Sequence, residues 1–293
     1  MSREIRIGNR MIGDGHPAYV VAEIGINHNG DLHVAKELMK AAKEVGVDAV
    51  KFQKRTPEIC VPLEQQNLMR DTPWGYITYL EYRYKVELTY EDYQEIDRYG
   101  KEIGIDWFAS PWDEPSVDFL EAFNPICHKI PSAALTDYAL LEKMKATGRP
   151  LILSTGMSTM EEIKAAVAKV DQENLVICHS TSSYPCAPDE INLNMIKTLH
   201  DHFSCPIGYS GHEVGLIPSV VAAALGACLV ERHITLDRAM WGSDQAASVE
   251  PVGFERMVKY IRVTEQALGD GIKRVYDSEV PVMSKLRRKY DRP

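Results

Sequence analysis

With 293 residues, 45% of them hydrophobic and 26% charged, the chain has the material for a substantial core and for one or two globular domains. A formal net charge of -9 excludes general affinity for nucleic acid, which needs a basic face, but leaves room for an anionic small molecule held by a few buried cations. No apolar run of about 18 residues occurs, the first residues form no apolar signal region, and no cysteine pair has C-x-x-C spacing. A cytoplasmic protein with buried free thiols is expected, without membrane, zinc or disulfide framework.

Ile5 and Ile7, then Met11-Ile12, alternate around Gly8-Asn9, which predicts a hairpin in an N-terminal extension (residues 1–17), placed as a lid over one end of the domain. Residues 19–24 read as a strand ending in the polar loop Asn27-His28-Asn29-Gly30. Asp31 caps a helix to residue 44, with Leu32, Ala35, Leu38, Met39 and Ala42 at helical spacing, and Gly46 stops it. Residues 48–53 form the next strand. Residues 54–88 are a long insert rich in tryptophan and tyrosine, suited equally to a substrate wall and to a dimer contact. Thr89 opens a helix that ends before Gly104.

Strands at 105–110, 126–130, 150–154 and 175–179 then alternate with helices at 114–123, 136–147 and 158–170, the last opened by a capping box in Ser158-Thr159-Met160-Glu161-Glu162. A helix at 190–202 leads to two strands, each ending in a polar tip with one histidine, His212 and His233. A helix-like segment at 216–226 lies between them, and a closing helix at 253–268 follows. About eight apolar strands alternating with amphipathic helices predict an α/β fold, a (β/α)8 TIM barrel over residues 18–270, with a solvated tail at 271–293. The alternative, a doubly wound open sheet, lacks a G-x-G-x-x-G turn after the first strand.

Barrels of this kind place their chemistry at the C-terminal ends of the strands. Those ends are polar here: Glu23, Lys51, Gln53, Ser110, Lys129, Ser132, Ser154, His179, Thr181, Ser210, His212, Glu231 and His233. Residues i and i+2 of a strand share a face, so Lys51 with Gln53, Ser210 with His212, and Glu231 with His233 point inward together. Buried Lys and Glu are costly unless paired or ligand-bound, and so many at one level exceed what packing explains. His212 and His233 suit one divalent cation with positions left open for water and substrate oxygen. The lysines and serines suit a phosphate and a carboxylate, and Glu23 and Glu231 suit acid–base work or sugar hydroxyls. His128, His200 and His202 read as hydrogen-bonded structural residues.

Six motifs carry a resemblance. They are Ala22-Glu23-Ile24-Gly25-Ile26-Asn27-His28-Asn29-Gly30, Lys51-Phe52-Gln53, Leu153-Ser154-Thr155-Gly156-Met157, His179-Ser180-Thr181-Ser182-Ser183-Tyr184-Pro185, Ile207-Gly208-Tyr209-Ser210-Gly211-His212-Glu213 and Glu231-Arg232-His233-Ile234-Thr235. Together the chain resembles the sialic acid synthase family, the phosphoenolpyruvate-dependent nonulosonate synthases, from about residue 18 to 270. The resemblance implies that Lys51, Ser110, Lys129, Ser132, Ser154 and Ser210 hold phosphoenolpyruvate, with Gln53, Thr181 and Ser182 beside them. It implies Mn2+, or Mg2+ or Co2+, on His212 and His233. It implies contacts from Glu23, Tyr184, Glu231 and Asp244 to an N-acetylmannosamine-type sugar, and a homodimer.

The implied activity is synthesis of N-acetylneuraminate or its 9-phosphate. Synthases of legionaminate, pseudaminate or KDN, a metal-dependent sugar isomerase or aldolase, and a non-catalytic sugar-binding barrel are the alternatives. Three departures from the family pattern stand out. Ala133-Ala134 replaces an acidic segment, and Ser182 stands where asparagine is usual. The sequence ends at Pro293, so the antifreeze-like C-terminal domain, which adds an arginine to the partner's sugar pocket in relatives, is expected to be missing.

Overall fold

The computed structural model describes residues 3–288; Met1, Ser2 and the end of the basic tail from Lys289 to Pro293 lie outside the described residues. The chain opens with an antiparallel hairpin, β1 (Glu4–Ile7) and β2 (Arg10–Gly13), turned at Gly8-Asn9. Next come β3 (Tyr19–Gly25), α1 (Leu32–Glu44) and β4 (Ala49–Lys54). The insert folds as α2 (Pro57–Cys60), α3 (Leu63–Gln66), a small hairpin of β5 (Met69–Thr72) and β6 (Gly75–Thr78), and α4 (Tyr79–Val86). The alternation resumes with α5 (Tyr90–Ile103), β7 (Asp106–Pro111), α6 (Glu114–Glu121), β8 (His128–Ile130), α7 (Tyr138–Ala146) and β9 (Leu151–Ser154). It ends with α8 (Met160–Val170), β10 (Leu175–His179), α9 (Met195–His202), β11 (Ile207–Gly211), α10 (Ile217–Ala224), β12 (Leu229–His233), α11 (Pro251–Leu268) and α12 (Val280–Leu286).

Eight parallel strands close in the order β3-β4-β7-β8-β9-β10-β11-β12 and back to β3, which is the (β/α)8 barrel expected. Local chemistry sets where the helices begin. Asp31 accepts from the backbone of His33 and Val34 at the start of α1, and Thr89–Asp92 and Thr159–Glu162 form reciprocal capping boxes on α5 and α8. Ala35, Leu38, Met39 and Ala42 bury one face of α1 against Val20, Val50 and Ile96. The hairpin inserts Ile5, Ile7 and Ile12 among Tyr19, Val21, Phe108, Ile152, Val176 and Leu229, so it plugs the N-terminal end of the barrel.

One predicted helix is shorter than expected. Residues 188–190 form a 3-10 turn and α9 starts only at Met195. Asn192 has a φ of 49°, and the carbonyls of Glu190 and Ile191 accept from Thr181 and His179 instead of from a helical turn. The tail carries α12, none of whose residues is buried.

Candidate active site

The strand C-termini surround a cavity of about 200 Å3 lined by Glu23, Lys51, Gln53, Ser110, Lys129, Ser132, Ser154, Ser182, Tyr184, Ser210, His212, Glu231 and His233. Sheet register brings these residues to one level: Glu23 lies opposite Lys51 on β4 and opposite His233 on β12, and Glu231 lies opposite Ser210. The β3–β4 register shifts between Glu23 and Gly25. Gly25 makes that shift feasible, because its φ is +56° and a Cβ there would stand 3.1 to 3.3 Å from Gln53, Glu23 and His233.

At the centre is a buried cluster of charge. Lys51 Nζ lies 2.8 Å from Glu231 Oε1 and 3.5 Å from Glu23 Oε2. Lys129 Nζ lies 3.9 Å from Glu231 Oε1 and donates to Ser154 Oγ, while Ser210 Oγ donates to Glu231 Oε1 at 3.0 Å. The two glutamates have opposite tendencies. Burial pushes Glu23 up to about 7, with the Lys51 ammonium only partly opposing it. Burial also acts upward on Glu231, but Lys129 and Lys51 outweigh it and hold that carboxylate at about 2. Burial lowers Lys129, whereas at Lys51 it is overcome by Glu23 and Glu231, which raise that ammonium. One oxygen of each glutamate is buried without a hydrogen-bond donor. Sequestering ionised groups of this kind costs several kcal/mol per ion before pairing, so apolar residues of similar volume would serve stability at least as well.

The two imidazoles adjoin this cluster, with ring centres 5.7 Å apart. His212 Nδ1 lies 2.8 Å from the Thr181 carbonyl, which can only accept, so Nδ1 carries the proton and Nε2 presents its lone pair. His233 Nδ1 is buried without a hydrogen bond and lies 3.9 Å from Asp244 Oδ2. Burial, followed by the neighbouring His233, lowers His212 to about 3, and burial lowers His233 as well, so both rings are neutral. No group of three or more His, Cys, Asp or Glu side chains suited to a metal occurs among the described residues. Two neutral imidazoles 5.7 Å apart between ring centres would suit a cation whose other positions are left to water or substrate oxygen.

A second layer fixes the histidines. Glu213 and Arg232 alternate with them along the chain and point the other way. Arg232 donates to Glu213 Oε1 at 2.7 Å, with Ser219 and Tyr209 donating to the same carboxylate at 2.9 and 2.7 Å. In the loop after β3, Asn27 donates to the Ile234 carbonyl and to Ser248 Oγ, both at 2.8 Å. The motif residues Asn27, Glu213 and Arg232 are thus braces for the site. His179 Nε2 bonds the Ile191 carbonyl, and His128, His200 and His202 are bonded to Glu121, to Arg3 and Gly226, and to Thr198.

Two of the residues expected in the pocket are placed differently. The Thr181 hydroxyl donates to the Glu190 carbonyl at 3.0 Å and does not line the cavity; the residue acts through its carbonyl on His212. Asp244 stands behind His233 at the cavity's edge. Gly156 N donates to Ser132 Oγ at 3.0 Å, and a Cβ at Gly156 would lie 2.1 Å from Ser182 Oγ, so that turn is packed directly on the two serines. Trp112 and Met157 also line the cavity. Trp112 lies just past the end of β7, two residues after Ser110. From the insert, Trp74 and Tyr82 meet Trp241 at 6.0 and 5.3 Å between ring centres.

A closed barrel with paired imidazoles and a buried lysine–glutamate cluster at its strand C-termini defines a (β/α)8 enzyme. The chain matches the NeuB family over residues 38–273 and belongs to that family. It is 40% identical over 283 residues to human N-acetylneuraminate-9-phosphate synthase, covering 94% of this chain and 78% of that one. It is 36% identical to the N,N'-diacetyllegionaminic acid synthase of Legionella pneumophila, covering 94% and 80%. The structure of an N-acetylneuraminic acid synthetase from Leptospira borgpetersenii superposes with a TM-score of 0.86 at 30% identity, covering 99% of both chains.

Proposed function

We propose that the protein is a nonulosonate synthase that condenses phosphoenolpyruvate with an N-acetylmannosamine-type aldose to form an N-acetylneuraminate-type acid or its 9-phosphate. The observation that carries this reading is the buried Lys51–Glu231–Lys129 cluster beside two neutral imidazoles. Lys51, Lys129, Ser110, Ser132, Ser154 and Ser210 receive the phosphate and carboxylate of phosphoenolpyruvate. His212 and His233 would hold a divalent cation, Mn2+ in the first instance, which supplies Lewis-acid polarisation of a carbonyl oxygen. The setting is a cytoplasmic homodimer; among the described residues no helix is long and apolar enough to cross a membrane.

In this mechanism C3 of phosphoenolpyruvate forms a bond to the aldehyde carbon of the open-chain sugar, and the aldehyde oxygen takes up a proton. Glu23 is suited to give that proton, since burial keeps its carboxyl protonated close to neutral pH, while Glu231 stays ionised as the counter-charge of the lysines. The electron pair withdrawn from the enol leaves C2 electron-deficient. Water adds at C2 and loses a proton, the C2–O bond breaks, and phosphate departs with its charge held by Lys51 and Lys129. Gln53 orients Glu23 by donating to Oε1 at 2.7 Å.

The test is phosphate release from phosphoenolpyruvate with N-acetylmannosamine, its 6-phosphate and a panel of hexose and hexosamine aldehydes. Aldehyde-dependent release supports the reading; release with none of them overturns it.

A further inference from the structure

Beside the main cavity lies a second one of about 420 Å3, bounded by Arg70, Tyr82, Arg83, Trp241 and Ser243 among others. Residues 243 and 244 link the two. Ser243 borders the second cavity and donates to Asp244 Oδ1 at 2.7 Å, while Asp244 Oδ2 lies 3.9 Å from His233. Two arginines from the insert region converge at this boundary. Arg55 is 7% exposed and stacks on the Trp112 ring at 3.8 Å. Its NH2 donates to Gln53 Oε1 at 2.6 Å, and its NH1 is buried with no partner. Arg83, on α4, is also 7% exposed; it lies 5.9 Å from the Tyr82 ring centre and makes no hydrogen bond or ion pair among the described residues.

Glu87 and Asp244 oppose the depression of Arg55, and Asp71 borders the same cavity as Arg83, but none of these carboxylates forms an ion pair with either guanidinium. Glu87 accepts from Lys54 Nζ at 3.3 Å and from the Arg55 backbone N–H at 3.2 Å, and Asp244 is turned to Ser243 and His233. Neither guanidinium is in an ion pair among the described residues. Burial, then the positive charge of Arg83, push Arg55 down to about 10. Two buried guanidinium groups with no carboxylate in direct contact are unfavourable unless an anion arrives, and their planar donor forks match phosphate. Gln53 and Trp112 both line the main cavity and both touch Arg55, so an anion there adjoins the space left for the sugar.

We propose that Arg55 and Arg83 form a phosphate subsite that takes a terminal phosphate monoester on the acceptor sugar, making the phosphorylated aldose the preferred substrate. The proposal rests on the synthase reading above and adds to it the substrate's charge and the residues that read it. An open-chain aldose carries its aldehyde and its primary hydroxyl at opposite ends. With the aldehyde at the imidazoles, the phosphorylated end is left for the insert.

The test compares kcat/KM for N-acetylmannosamine 6-phosphate and for N-acetylmannosamine, at saturating phosphoenolpyruvate, in the wild type, Arg83→Gln and Arg83→Lys. The wild type is expected to prefer the phosphorylated sugar. Arg83→Gln should lower the ratio of the two values about 30-fold, the scale of a charge-assisted hydrogen bond, and Arg83→Lys should restore most of it. A wild-type preference for the unphosphorylated sugar, or a ratio unmoved in Arg83→Gln, overturns the subsite. Turnover of neither sugar would refute the synthase reading instead. The subsite would then be judged by melting temperature: a rise with the 6-phosphate alone, lost in Arg83→Gln, supports it, and equal shifts with both sugars overturn it.

Discussion

The two ends of the barrel are built from the same eight strands and solve opposite problems. At the N-terminal end Ile5, Ile7 and Ile12 of the hairpin fill the opening against Tyr19, Val21 and Leu229. At the C-terminal end Lys51, Lys129, Glu23 and Glu231 are all at most 4% exposed. The first end gains stability from apolar area removed from water. The second carries charges whose desolvation the fold would be better off without. The difference teaches which residues to read as packing and which as chemistry, with both sets buried to the same degree.

The sharpest way to break this contrast is to remove the charge cluster whole. Lys51→Met and Lys129→Met combined with Glu231→Leu are expected to cut kcat by about 1,000-fold or more, while leaving the melting temperature unchanged or raised. A collapse of the melting temperature would mean that the cluster is structural. Next in size, chelation should lower turnover by about 100-fold or more, with Mn2+ restoring it; turnover indifferent to chelator would remove the cation from His212 and His233. At the other end, Ile7→Ala should cost about 2–5 kcal/mol of stability in a denaturation experiment, with kcat within about threefold of the wild type. A large loss of kcat there would show the ends to be coupled.

The smallest effect concerns pH. Glu23 is raised, so its protonated form persists to about 7 and is lost above it. If it donates the proton to the aldehyde oxygen, kcat/KM falls as pH rises through that value. Glu23→Gln should lower the rate and abolish that limb of the profile. A limb that survives in the variant would assign the titration elsewhere.

Much of this was legible in the sequence, because strands buried on both faces and helices with one apolar stripe have distinct periods. Period 2 within a strand places Lys51 with Gln53 and Glu231 with His233 on the inner face from sequence spacing alone. What escaped was set by contacts distant in sequence. Its place after a strand end marks Thr181 as a pocket residue, but its hydroxyl is drawn to Glu190, whose carbonyl is free because Asn192 breaks the helix expected over 190–202. Arg55 was missed although it lies two residues past Gln53, since an arginine at the start of an insert reads as solvated until Trp112 is found beneath it. Glu213 and Arg232 gave no sign that they form one buried pair, because they come from different strand ends.

The central claim is that C3 of phosphoenolpyruvate is joined to a sugar aldehyde while phosphate leaves by cleavage of its bond to C2. Mass analysis of the products formed in 18O-water tests it most directly. The account predicts a product heavier than the aldose by a pyruvate unit, bearing 18O at C2, together with unlabelled phosphate. Label in the phosphate, or pyruvate released with the aldose unchanged, would contradict it.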